Sequence, residues 1–484
     1  MHLKAVPPTG SNRSGTEREG IMAVQGWRRT KSIDEALATG ETGLHRVLSG
    51  LDLTFLGIGA VIGAGIFVLT GIAAATKAGP ALTLSFAIAG LACLFAALVY
   101  AEFASTVPVS GSAYTYSYVT LGELAAWVIG WDLILEYAVA SAAVAIGWSG
   151  YFNRVLGGLG MALPDVLTRT PFDGGWINLP AFAVILAVSA LLAVGVRESS
   201  RINNAIVVLK LGIIALFLIT AIPKVDVAHW DPYFPFGWSG VVSGAGLIFF
   251  AYIGFDAVST AAEEARDPQR DIPRGILGSL VICTLIYIVV AAVLTGVVSY
   301  TQLNVPDPVA AALAMIGAHS VAGLISVGAI AGLSSVLLVL LYGQSRIFFA
   351  MSRDGLLPPV FSSVHARFRT PFRVIIATGL LVSLIAGFMP IQQVAELVNV
   401  GTLAAFILVS VAVMVLRYTR PELHRPFRTP FVPWVPLLAI GFCGYLIASL
   451  DAVTLWRFVI WMALGLVIYF LYARRHSRLA PATG

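Results

Sequence analysis

Charge is what this 484-residue chain has least of: Asp, Glu, Lys and Arg make up 11% of it, against 58% hydrophobic residues. Soluble domains carry about 25% charged residues and a smaller apolar share, so a surface that faces water all round is excluded. Cysteine is equally scarce. Cys93, Cys283 and Cys443 each sit in an apolar run at no metal-ligand spacing, which argues against a disulfide framework and a thiolate zinc site. The seven histidines are scattered, with no HExxH or other close ligand pair, and the apolar runs offer little that resembles a nucleophile with its base. Neither an enzyme nor a bound metal or cofactor is expected. The formal charge of +5 comes from basic residues spread over short segments between apolar runs, so nucleic acid is not an expected partner.

What fills the chain is long hydrophobic runs. The mean hydropathy is +0.88, and runs long enough to cross ~30 Å of hydrocarbon at ~1.5 Å per residue recur throughout. They fall near 51–75, 81–104, 126–152, 178–196, 203–222, 240–260, 275–298, 322–345, 373–389, 395–417, 431–450 and 456–473. With the N-terminus in the cytoplasm, 24 of the 30 Lys and Arg lie inside; Lys77, Arg154, Arg169, Lys224 and Arg457 lie outside, and Lys210 lies within a span. This is the positive-inside pattern. Basic residues flank both ends of the chain, so an even number of crossings with both termini cytoplasmic is expected, in a bacterial-type plasma (inner) membrane. The polar stretch before the first span is too long for a signal peptide.

The first span reads GIGAVIGAGIFVLTG over residues 57–71. Each glycine inside a helix costs about 1 kcal/mol relative to alanine, so something must compensate. Close helix packing through Gly59 and Gly63 is one reading. The other is a broken helix: Ile62, Gly63, Ala64, Gly65 and Ile66 bear no polar side chain, so a ligand there would meet backbone. Interrupted helices at mid-membrane offer amides to anions and carbonyls to cations, and such backbone is tolerated only when buried or lining a cavity. The sixth span carries a second candidate break, FFAYIGFD at 249–256. Five crossings separate the two, which inverts the second group of five relative to the first.

At these stretches the sequence resembles the amino acid–polyamine–organocation (APC) superfamily, in particular bacterial relatives of the cationic amino acid transporters. FFAYIGFDAVSTAAEEARDPQRDIPRGI at 249–276, YGQSRIFFAMSRDGLLPPVF at 342–361, VHARFRTP at 364–371 and RPELHRPFRTPFVPWVP at 420–436 also look like family segments. The resemblance implies an all-α integral membrane protein with twelve transmembrane helices: a five-plus-five inverted repeat with broken first and sixth helices, plus two extra helices. The expected division is a cytoplasmic tail over 1–48, repeats over 49–222 and 240–417, two additional helices over 430–473, and a tail over 474–484. It further implies amino acid transport by alternating access in the lipid bilayer. Carried over by position, amides around Ile62, Gly63, Ala64 and Gly65 take the substrate carboxylate, carbonyls of Phe250, Ala251 and Ile253 take its ammonium, and the Phe250 ring caps the site.

Ionisable groups within a bilayer are costly and therefore functional candidates. Asp132 and Glu136, at i and i+4, share a face of the third helix, and Glu136 is the deeper. Asp256 is either beside the transport path or a half-helix cap. Lys210 lies seven residues into the fifth span, where it either snorkels to the cytoplasm or, as the resemblance implies, stands where sodium-coupled relatives hold a cation, near the first break and Ser334 and Ser335. There its ammonium would replace the metal and offer a proton, giving proton-coupled symport. An obligate exchanger, a cationic amino acid carrier and a non-transporting sensor are the alternatives. Leu340, aligned through Leu333, Ser334, Ser335 and Arg346, falls where eukaryotic cationic carriers have a small polar residue. A leucine there favours small or medium neutral L-amino acids.

Overall fold

A computed structural model describes residues 29–30, 48–107, 112–195, 200–368 and 370–479. The tail expected over 1–48 lies outside these residues except at 29, 30 and 48, and so does 480–484. The described residues are helical with no strand beyond an isolated bridge between Leu48 and Ala265. We number the principal helices α1 (Gly50–Val61), α2 (Leu82–Thr106), α3 (Glu123–Gly158), α4 (Leu179–Val194), α5 (Ser200–Ala221), α6 (Gly237–Ile248), α7 (Pro268–Val297), α8 (His319–Arg353), α9 (Phe372–Phe388), α10 (Ile391–Thr419), α11 (Trp434–Ala448) and α12 (Ala452–Ile468). Among the described residues, eight helical stretches are long and apolar enough to cross a membrane, and α1, α4, α9 and α11 are shorter apolar helices.

These helices show almost no amphipathic stripe, because a helix in hydrocarbon is apolar on its outer face as well as its inner one. Small residues and the few polar groups therefore decide the packing. α2 packs chiefly on α7, α3 on α8 and α4 on α9, and α1 lies along α7. α3 is the most enclosed stretch and α12 the least. Gly57 faces Ser279 of α7 so closely that a Cβ would come within 3.0 Å of Val258 as well. At one end of the bundle Glu102 of α2 is buried and accepts Arg417 Nε at 2.8 Å, Arg417 Nη2 at 2.6 Å and the Thr429 amide at 2.7 Å, with Arg425 Nε 3.6 Å away. Each of these partners supplies part of what the carboxylate lost on leaving water.

Both glycine-marked spans are interrupted. α1 ends at Val61, Ile62 is extended (φ −74°, ψ 98°), and helical backbone resumes at Ala64 through a π-helical turn over Gly65–Leu69. α6 passes into a 3-10 turn over Phe249–Tyr252, Ile253 is extended (ψ 133°), and a short helix resumes at Ala257–Thr260. Gly254 between them has φ +112°, a conformation that disfavours any side chain, and a Cβ there would stand 3.1 Å from the backbone of Ala60.

Candidate functional site

The two interruptions cross. A Cβ on Gly65 would overlap Ala251 of the α6 break, just as one on Gly254 would press on Ala60 at the end of α1. Glycine at both positions lets the two backbones touch, and beside this crossing lies a cavity of about 970 Å³, counting the part open to solvent. The resumed half of α1 begins with the amides around Gly63, Ala64 and Gly65, which as the first groups of a helix have no intrahelical acceptor and carry partial positive charge. Beside them the 3-10 turn over Phe249–Tyr252 ends in a helix C-terminus, the negative pole, where the Phe250 carbonyl accepts the Ile253 amide at 3.3 Å and keeps its second lone pair. Donors on one side and acceptors on the other suit a zwitterion.

Of the residues singled out from sequence, Gly63, Ala64, Gly65, Glu136, Phe250, Ile253, Ser335 and Leu340 line this cavity. Ile62, Ala251, Lys210 and Ser334 are not part of its wall. Ile62 is fully buried at the break. Ala251 turns its carbonyl to the Tyr287 hydroxyl of α7, 2.9 Å away, and the same hydroxyl reaches the Val61 carbonyl at 2.9 Å. Ser334 donates to the Ile330 carbonyl and accepts the Trp148 indole N–H at 3.0 Å.

Lys210 is 1% exposed, so it does not snorkel. Its Nζ donates to the Gly59 carbonyl at 2.7 Å, behind the cavity wall. Its methylene stem lies against Gly332 of α8, where a Cβ would come within 3.0 Å of Lys210 Cε. The lysine thus ties α5 to the last turn of α1 and rests on α8. Glu136 stands elsewhere: its neighbours are Thr402 of α10, within hydrogen-bonding reach, and the carboxylates of Asp256 and Asp132. Asp256 lines the cavity too, which places two acids in its wall.

Sequence reading did not single out Tyr137, Ala140 and Val144 of α3, Val336 and Val339 of α8, or Asn203 of α5, all of which line the cavity. Helical spacing was the available signal: Glu136, Ala140 and Val144 recur every fourth residue, and Val336, Val339 and Leu340 follow i, i+3, i+4. The lining also includes Leu56, Gly59, Ala60, Asn203, Gly254 and Ala257, all on the side where α1 begins. Nothing beyond Gly65 in the resumed half of α1 contributes. The cavity therefore runs from the crossing toward the end of the bundle that holds the start of α1 and the C-terminal residues.

Comparison with known proteins agrees with this geometry. Residues 48–473 match the amino acid permease family. The methylthioribose transporter of Bacillus subtilis is 54% identical over 438 residues, covering 90% of this chain and 95% of that protein. The branched-chain amino acid permease BcaP of the same organism is 53% identical over 458 residues, covering 93% and 98%. A vacuolar cationic amino acid transporter 4 of Arabidopsis thaliana is 40% identical over 405 residues, covering 81% and 67%. A chain matched across nearly its whole length, with a cavity at two crossed helix breaks, is a multi-pass membrane transporter and no enzyme: it belongs to the amino acid permease family of the APC superfamily.

Proposed function

We propose that this chain carries small or medium neutral L-amino acids inward across the plasma (inner) membrane by alternating access, coupled to protons. Both termini are cytoplasmic, and twelve crossings form two inverted repeats of five plus two further helices. Support for the repeat comes from the packing of α2, α3 and α4 each on the helix five places later and from the matched interruptions of α1 and α6. The observation that carries the substrate class is the cavity wall. Gly63, Ala64 and Gly65 present amides, Phe250 and Ile253 belong to the carbonyl end, and Val144, Val336, Val339 and Leu340 leave aliphatic surface for a side chain. Leu340 itself offers a guanidinium no hydrogen-bond partner in exchange for the water lost against it, which disfavours a cationic side chain at that point of the wall.

Proton coupling rests on Lys210, whose ammonium holds the Gly59 carbonyl. Loss of its proton turns that charge-assisted hydrogen bond into a weaker neutral one and so loosens α1 from α5. The test is uptake of labelled alanine and leucine in proteoliposomes with and without an inward proton gradient, for the parent chain and Lys210→Ala. Accumulation by the parent that follows the gradient, and its loss in the variant with binding retained, is the expected result. A variant that still concentrates substrate when the gradient is imposed would make Lys210 structural and turn attention to Glu136. A second reading, a neutral polyhydroxylated substrate such as methylthioribose, is favoured by the carboxylates of Glu136 and Asp256 in the wall, which can accept from hydroxyl groups. Thermal-shift screening of the purified protein against the twenty amino acids, polyamines and methylthioribose separates the readings, because a ligand stabilises the fold it binds.

A further inference from the structure

We propose that the C-terminal residues Tyr469–Leu479 form a latch across the joint between two groups of helices, and that this latch favours the conformation in which the cavity opens toward the chain termini. The joint is defined by packing. α1 and α2 lie on α7, whereas α3 lies on α8, and the chain crosses from the first group to the second through residues 107–122. A helix over Ser112–Thr120 sits in that connection. Relative movement of the two groups has to be taken up there.

The C-terminal residues meet the connecting helix at Tyr118 and bind the two residues that flank and anchor it, Glu123 and Asp354. Glu123, at the first turn of α3, is fully buried and accepts the Tyr469 hydroxyl at 3.1 Å and the Ser477 hydroxyl at 2.5 Å. The Ser477 hydroxyl also lies 3.5 Å from that of Tyr118 on the connecting helix. Asp354, just after α8, accepts Tyr114 of the same connecting helix at 2.8 Å on its carboxylate and the Arg478 amide at 3.1 Å on its carbonyl. Gly355, φ +81°, leaves room only for the His476 backbone beside it. Arg29, from the other end of the chain, closes the cluster: its carbonyl accepts the Glu123 amide at 2.8 Å and its guanidinium reaches the Arg474 carbonyl at 3.4 Å.

The latch has a firm base. α12 is fastened to α3 by Trp131 and Trp461, stacked with centroids 4.5 Å apart and each donating its indole N–H to the other's carbonyl, and by the Trp127 indole on the Gly465 carbonyl at 2.9 Å. A segment anchored on α3 and reaching over to the connecting helix and the end of α8 resists any change at the joint. Contacts present in one conformation and broken in another stabilise the first by their difference. The form observed here has its cavity extending to the terminal end of the bundle, so that is the form the latch holds.

This inference rests on alternating access as proposed above, but it is read out without substrate or gradient. In a background with Cys93, Cys283 and Cys443 replaced by alanine, Leu56→Cys places a thiol in the cavity wall on the terminal side. Labelling by a membrane-impermeant maleimide is then timed in inverted and right-side-out vesicles, with and without deletion of residues 477–484. The latch predicts labelling from the terminal face slowed about threefold or more by the deletion, in keeping with loss of hydrogen bonds to a buried carboxylate. Ser477→Ala carries the same expectation should the truncated chain fail to fold. Labelling as fast as in the parent, in variants whose thermal unfolding shows them folded, overturns the proposal. A chain that labelled as predicted but failed to move alanine would overturn the substrate reading and leave the latch standing.

Discussion

Replacing Gly65 with alanine tests whether the crossing of the two breaks is what builds the site. The new Cβ would overlap Cα and Cβ of Ala251 and come within 2.9 Å of its amide nitrogen. These are backbone and near-backbone atoms of a buried turn, so no rotamer change relieves the contact and the breaks must separate. Overpacking of this kind costs about 1–3 kcal/mol, occasionally more, equivalent to roughly fivefold to 160-fold in a binding constant at 1.36 kcal/mol per decade if it falls wholly on binding. Gly63→Ala is the matched control. Its Cβ would meet only Val336 Cγ2 at 3.6 Å and Cγ1 at 3.8 Å, which is ordinary contact. Scintillation-proximity binding of labelled leucine, with thermal unfolding of both variants, is the assay. The alanine at 65 should lower both affinity and unfolding temperature, while the alanine at 63 should leave the unfolding temperature near the parent's and weaken binding only as far as its methyl crowds the ligand. Parent-like binding and stability in Gly65→Ala would refute the claim that the touching backbones set the site.

Leu340→Ser should let arginine compete with labelled alanine in proteoliposomes, because it opens space on a wall that also carries Glu136 and Asp256; exclusion of arginine by this variant as strict as the parent's would count against Leu340 as the filter. Tyr287→Phe keeps the ring in its cluster with Phe86 and Tyr252 but removes the hydroxyl shared by the Val61 and Ala251 carbonyls, and should weaken substrate binding by about fivefold or more, the equivalent of roughly 1 kcal/mol for a lost hydrogen bond. Glu102→Ala strands Arg417 and Arg425 beside a buried space; with Arg417 partly exposed, destabilisation toward the lower end of the roughly 3–5 kcal/mol typical of broken buried pairs is expected, seen as a lower unfolding temperature with the substrate affinity of the surviving folded protein unchanged.

The membrane architecture was legible because lipid imposes one rule on every span, and each expected apolar run falls on a helix or an interrupted one. The breaks were legible for a related reason: glycine without polar side chains has no role in a lipid-facing helix that alanine would not fill better. What composition could not give was direction. Ala251 lies in the expected motif, yet its carbonyl points to Tyr287, and nothing local in FFAYIGFD distinguishes a carbonyl facing the cavity from one facing α7. Ser334 and Ser335 are adjacent and chemically equal, but a helix turns about 100° between neighbours, so one meets Trp148 and the other the cavity. Tyr287 and Trp148 stayed hidden because a single aromatic in an apolar run carries no signal until its hydroxyl or indole N–H is seen on a partner.

The contacts around α1 connect these details to the proposed cycle. Its first turn is held at Asp52, which accepts from Ser49 on the same helix and from Asn204 of α5 at 3.3 Å. Its last turn is held at the Gly59 carbonyl by Lys210 and at the Val61 carbonyl by Tyr287. The Asn204 donor is a side-chain amide, which does not ionise, so that contact cannot report a proton. Lys210 differs: its donor is the ammonium itself, and a hydrogen bond to a charged group is worth about 1.5–3 kcal/mol against roughly 1 kcal/mol for a neutral one. Gly59 also lines the cavity while its carbonyl faces the lysine. One peptide unit therefore stands between the cavity and the lysine proposed to carry the proton, and a shift of α1 in the proposed cycle changes the lysine's hydrogen bond to the Gly59 carbonyl.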